Sequence, residues 1–97
     1  METYIVLMEM TQKGLDEIEK VPDFVDTFEN KVKKLGGEFK GFYKVMGKTD
    51  YVTIFDAPNG KVGLALVVVL GKTGYFSTLT LKAYSMSEMR ESLRLSK

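Results

Sequence analysis

The 97-residue sequence contains no cysteine, no histidine, no tryptophan and only two prolines. Without cysteine it has no disulfide, no thiol nucleophile and no iron–sulfur ligation. Without histidine it has no Ser–His–Asp triad, no His-bearing zinc site and no haem held by a proximal histidine. Few of its side chains titrate near neutrality, which counts against acid–base catalysis. An excess of charge is also missing: 14 basic and 13 acidic residues are interleaved for a net +1. No basic block marks a nucleic-acid surface. The longest apolar run, Leu64 to Leu70, is far too short to cross a bilayer. The opening METYIVLMEM lacks the basic region and small-residue cleavage site of a signal peptide. The expectations are therefore one domain over residues 1–97, cytoplasmic, with no cofactor, no metal, no nucleic acid and no membrane partner.

What is present is β-rich. The chain is organised around Phe39 to Asp56, where FKGFYKVM and YVTIFD flank the tight turn GKTD. Phe, Tyr, Val, Ile and Thr suit a pleated surface, Gly47 frees the backbone, and Asp50 can bond turn amides. A four-residue loop over Gly47 to Asp50 predicts Met46 opposite Tyr51, Lys44 opposite Thr53 and Phe42 opposite Phe55. Period-two alternation then places these six on one face, and Tyr43, Val45, Val52 and Ile54 on the other. Both faces are largely apolar, so both need cover.

The flanking segments follow from spacing. Tyr4 to Met8 are consecutive apolar residues, as in a central strand. Leu15 and Ile18 make a short helical turn. Pro22 opens a helix whose Phe24, Val25, Phe28, Val32 and Leu35 recur at three and four, and Gly36-Gly37 ends it. After the turn Ala57 to Gly60, the stretch Lys61 to Leu70 is β-branched. Asn59 as N-cap, Gly71 as C-cap and the lack of a polar face nevertheless favour a helix buried on more than one side. Tyr75 to Tyr84 alternates as a strand, with Leu79, Leu81 and Ala83 on one face and Phe76, Thr78, Thr80, Lys82 and Tyr84 on the other. Ser85 and Glu88 form a capping box for a C-terminal helix striped by Met86, Met89 and Leu93.

The order β-α-β-β-α-β plus a terminal helix is that of an α+β, ferredoxin-like domain. It has a four-stranded antiparallel sheet with helices on one face. The expected open face carries Phe42, Met46, Tyr51, Phe55, Phe76 and Tyr84. A patch of that size on a chain of 97 residues predicts a homodimer closed sheet to sheet.

The opening TYIVL, the LGG after the first long helix, the G-x-x-D turn at Gly47 to Asp50 and the closing TLTLKAYS resemble the GYD domain family, over about Thr3 to Ser85. The resemblance implies a dimeric α/β-barrel, with a hairpin turn like that of Lrp/AsnC-type effector domains. It brings no activity with it. The family motif reads Gly-x-Tyr-Asp; Gly47 and Asp50 match it, and Thr49 stands in the tyrosine slot.

Lys44 and Lys82 fall among Thr53, Phe55 and Thr80 on the face expected to be open. Ammonium groups held between sheets need partners or a bound anion. A small, anionic ligand in a pocket of Lys44, Thr53, Phe55, Thr80 and Lys82 is the favoured reading. For the two lysines taken by themselves, the preferred reading is the simpler one, a position near the sheet's edge with their heads in water. Asp50 reads as a ligand contact or, more simply, as a turn residue bonding backbone amides. Three classes stay open: a ligand-binding homo-oligomer, a cofactor-independent enzyme using Asp50 or a tyrosine, and a purely structural oligomerisation module.

Overall fold

A computed structural model describes residues Met1–Lys97. The strands are β1 (Glu2–Met10), β2 (Glu38–Lys44), β3 (Tyr51–Ala57) and β4 (Phe76–Ala83). The helices are α1 (Gln12–Asp16), α2 (Val21–Lys34), α3 (Gly60–Lys72) and α4 (Met86–Leu95), and a 3-10 turn at Ile18–Lys20 leads into α2. The four strands form one antiparallel sheet in the order β2-β3-β1-β4. This is the expected ferredoxin-like arrangement with an extra C-terminal helix.

Local chemistry explains most boundaries. Thr11 caps α1, its hydroxyl accepting from the Gly14 N–H at 3.1 Å. Pro22 sits in the first turn of α2, where its missing N–H costs nothing. Gly36, at φ +84°, ends that helix in the left-handed region. The β-branched stretch is helical, as its caps implied: the Asn59 side chain accepts from the Val62 N–H at 3.0 Å. The far end differs from expectation. α3 runs through Gly71 to Lys72, and Gly74 takes the positive φ instead. Ser85 and Glu88 form the capping box of α4 reciprocally.

The hairpin register is tighter than the sequence suggests. Lys44 pairs with Tyr51 and Phe42 with Thr53, so Met46 leaves the strand and stands 99% exposed in the loop. The difference is two residues, which preserves the facing of every later side chain. A bulge between Phe39 and Gly41 then brings Phe39 opposite Phe55. The extra residue lets Phe39 and Phe42 point the same way, and both rings meet Phe28 edge-on at 6.2 Å.

The core lies between the sheet and helices α2 and α3. Val6, Met8, Phe55 and Phe76 meet Val21, Phe28, Val32, Leu66 and Leu70, all buried. Phe28 is its keystone, fully buried against Phe24, Phe39, Phe42 and Phe55.

Here the structure corrects the sequence reading. Phe42, Tyr51, Phe55 and Phe76 were expected on the face away from the helices, yet they form the face that the helices cover. The bare face is the other set, Ile5 and Leu7 on β1, Val52 and Ile54 on β3, Leu79 and Leu81 on β4, with Tyr43 at the β2 edge. Period-two alternation sorts side chains into two sets but does not say which one meets the helices. The aromatic set wins because large rings fill the helix–sheet gap, whereas the β-branched and leucine set makes a flatter surface.

Two helices keep apolar surface in solvent. Leu64 and Val68 on the outer side of α3 are exposed, so α3 is not buried on more than one side within the chain. α4 has no buried residue, and Met86, Met89 and Leu93 stand free. No helix is long and apolar enough to cross a membrane.

Candidate functional site

The turn Gly47 to Asp50 folds back onto the end of β1. The Met8 carbonyl accepts from the Asp50 N–H at 2.9 Å and from the Thr49 hydroxyl at 3.0 Å. The Asp50 carboxylate accepts from the Met10 N–H at 2.8 Å. The aspartate thus replaces a strand partner just ahead of the first residue of β3, and a charged acceptor makes that bond a strong one. It serves an amide of β1, not of its own turn. The Lys44 ammonium lies 3.7 Å from the other Asp50 oxygen and 4.7 Å from the centre of the Tyr51 ring.

The five residues expected to line a pocket are not brought together. Thr53 and Phe55 are wholly buried beneath the helices. The Thr53 hydroxyl donates to the Gly41 carbonyl at 2.8 Å, satisfying the bulge, and Phe55 packs between Phe28 and Tyr4. Lys44 is on β2 and Lys82 on β4, the two opposite edges of the sheet. Thr80, beside Lys82 on β4, is exposed. Lys82 has its own partners. Its ammonium is 3.3 Å from Glu2 and lies over the Tyr84 ring at 5.3 Å. The Tyr4 hydroxyl donates to the same Glu2 oxygen at 2.7 Å. Hydrogen bonds from Tyr4 and then Lys82 hold Glu2 below the usual carboxylate range, and the bond to Glu2 pushes both Tyr4 and Lys82 up. The cluster is satisfied within itself.

Two hollows remain. One, of about 340 Å³, lies at the end of the bare face, where Glu9 and Ser77 meet Lys48 and Thr49 of the turn. The other, of about 450 Å³, is a groove on the helix side. Ile18, Val21 and Val25 form one wall, and Phe42, Lys44 and Tyr51 of the hairpin form the other. Strand alternation puts Lys44 and Tyr51 on one face, but their meeting with α2, about 20 residues away in the chain, is recorded in no local pattern. Tyr51 is 7% exposed. Its hydroxyl donates to no group of the chain, and yet is not sealed from solvent. Burial, and secondarily the Asp50 charge, pushes its phenol above the ordinary value, so the group is an O–H donor at neutral pH.

A family model described as the GYD domain matches residues 4–93. The chain belongs to the GYD domain family. In this GYD domain Thr49, in the motif's tyrosine slot, ties the turn to Met8 through its hydroxyl. No curated protein sequence matches it. Among solved structures, FFRP-DM1 is similar at 20% identity and TM-score 0.59, over 87% of this chain and 100% of that one. LrpC of B. subtilis is similar at 15% identity and TM-score 0.59, over 87% of this chain and 51% of that one. TTHA0845 from Thermus thermophilus is similar at 21% identity and TM-score 0.54, over 88% of this chain and 95% of that one. These likenesses establish the ferredoxin-like fold of the GYD domain; function has to be argued from the site.

Proposed function

We propose that this GYD domain is a homodimeric binding module, closed by a second copy of the chain packed face to face on the bare side of the sheet. The observation that carries the reading is the uncovered surface of Ile5, Leu7, Val52, Ile54, Leu79 and Leu81. These residues are contiguous across β1, β3 and β4, and no helix lies over them. A sheet face of this composition is normally packed against a second layer. Three strands at about 4.8 Å spacing, each apolar over ~10 Å on this face, give a flat apolar centre of roughly 150 Å² before side-chain relief is counted, and the strands continue past it through polar residues. A standard interface hides about 800 Å² per partner. The exposed stripe of α4, which follows β4 in the chain, supplies further apolar area.

A second copy suits this face better than a foreign partner. The centre of the patch carries no charge for a partner to complement, and a flat apolar surface is complementary to itself under two-fold symmetry. Charged groups stand at its two ends, Glu9 and Lys48 at one and Asp56 with Lys40 at the other.

Binding is favoured over catalysis because the groups that reach the surface are poor acid–base catalysts near neutrality. The Tyr51 phenol is pushed away from neutrality, and the Asp50 carboxylate is occupied by a backbone amide. Light scattering behind size exclusion tests the assembly. A particle of twice the 10.9 kDa chain mass is expected at micromolar concentration. A persistent single-chain mass at 100 μM refutes the dimer.

A further inference from the structure

We propose that the groove between the start of α2 and the hairpin binds a small amphiphilic carboxylate. Its apolar body lies against Val21, Val25 and Phe42, and its carboxylate is held by the Tyr51 hydroxyl and the Lys44 ammonium. This names the ligand class for the binding-module reading and depends on that reading, but not on the dimer interface, which is on the opposite face of the sheet.

Three observations converge. The groove, about 450 Å³, is in the size range of small-molecule sites, and its walls are mostly aliphatic and aromatic. Lys44 is the one charged side chain that lines it. Tyr51 is more than nine-tenths buried and lines the same groove with a hydroxyl that has no partner in the chain. The phenol is a donor open to the groove, and the Lys44 ammonium lies over the same ring, 4.7 Å from its centre, so an anionic acceptor in the groove complements both.

Lys44 is available for this. The Asp50 oxygen nearest it is 3.7 Å away, beyond a hydrogen bond, and the other Asp50 oxygen is taken by the Met10 N–H. An ammonium has three donors, so it can keep Asp50 as a neighbour while turning one donor to a ligand. A carboxylate suits the opening better than a phosphate. A dianion would lie beside the Asp50 charge with a single cation to offset it, and the remaining walls offer it no donors.

Titration of the ¹⁵N-labelled full chain with phenylacetate, 4-phenylbutanoate and decanoate tests the site, with 4-phenylbutylamine as the charge-reversed control. At least one of the acids is expected to saturate, with shifts centred on Val21, Val25 and Tyr51, and to bind at least tenfold tighter than the amine. Tyr51→Phe and Lys44→Gln are each expected to weaken that acid about five- to tenfold while the folded spectrum is retained. The proposal is overturned by any of three results: no acid saturates, amine and acid bind alike, or the shifts fall on the bare face. Mass measured on the same samples reports the dimer separately, so failure of the groove and failure of the assembly are read independently.

Discussion

Leu79→Asp is the substitution that most directly probes the proposed dimer. Leu79 lies on β4 opposite Leu7, points away from the helices and is 59% exposed in the single chain. Burying a whole leucine side chain is worth about 1.5–3 kcal/mol. Covering the exposed fraction of Leu79 is therefore worth about 1–2 kcal/mol per copy, or about 2–4 kcal/mol for the two copies that a two-fold interface contains. At about 1.4 kcal/mol per tenfold, dimerisation weakens by roughly 30- to 700-fold. The two unpaired carboxylates add to this, since each must lose water without gaining a partner. The monomer itself loses little, because the new side chain stands in solvent. Sedimentation velocity from 1 to 100 μM measures the effect, with circular dichroism as the check on folding. A folded Leu79→Asp variant that associates as tightly as the parent chain refutes the sheet-face interface.

Other expectations follow from the core, the turn, the groove and the tail. Phe28→Ala, at the ring cluster beneath the helices, is expected to cost about 3–5 kcal/mol, read as a lower urea midpoint; a loss below about 1 kcal/mol contradicts the keystone role of this ring. Asp50→Ala leaves the Met10 amide without its acceptor and is expected to cost about 1–3 kcal/mol, while Asp50→Asn, which keeps an acceptor, loses less. Equal losses for the two variants rule out the hydrogen bond as the cause. Tyr51 has a raised folded pKa, so its contribution is full below the unfolded value of about 10 and is lost as pH climbs through the folded one. Stability measured by denaturant between pH 9 and 11 is expected to fall less steeply in Tyr51→Phe, and an unchanged slope is the contrary result. Removing residues 86–97 is expected to leave the cooperative unfolding of the single chain nearly intact and to weaken association, since α4 has no buried residue.

Parts of the site were legible and parts were not. Asp50 was readable as a residue that bonds backbone amides, because a short acceptor after a glycine turn has few other uses. That the amide belongs to Met10 depends on β1 running beside the turn, a contact between residues 40 apart. Lys44 and Lys82 were grouped because strand alternation placed them on one face; strand order puts them on opposite edges. The groove was out of reach, since it joins the first turn of α2 to the hairpin, and no local pattern records that meeting.

The sequence by itself determined the order of elements, the helical state of the β-branched stretch through its Asn59 cap, and the two sets into which strand side chains divide. These are local matters of caps, turns and the period of the chain, and a two-residue slip in the hairpin left the sets unchanged. Only the tertiary structure decided which set the helices cover. Both sets are apolar, so hydrophobicity cannot choose between them; volume does. Phe28 and the rings of Phe39, Phe42 and Phe55 fill the space under the helices. The flat aliphatic set of Ile5, Leu7, Ile54 and Leu81 is left facing outward.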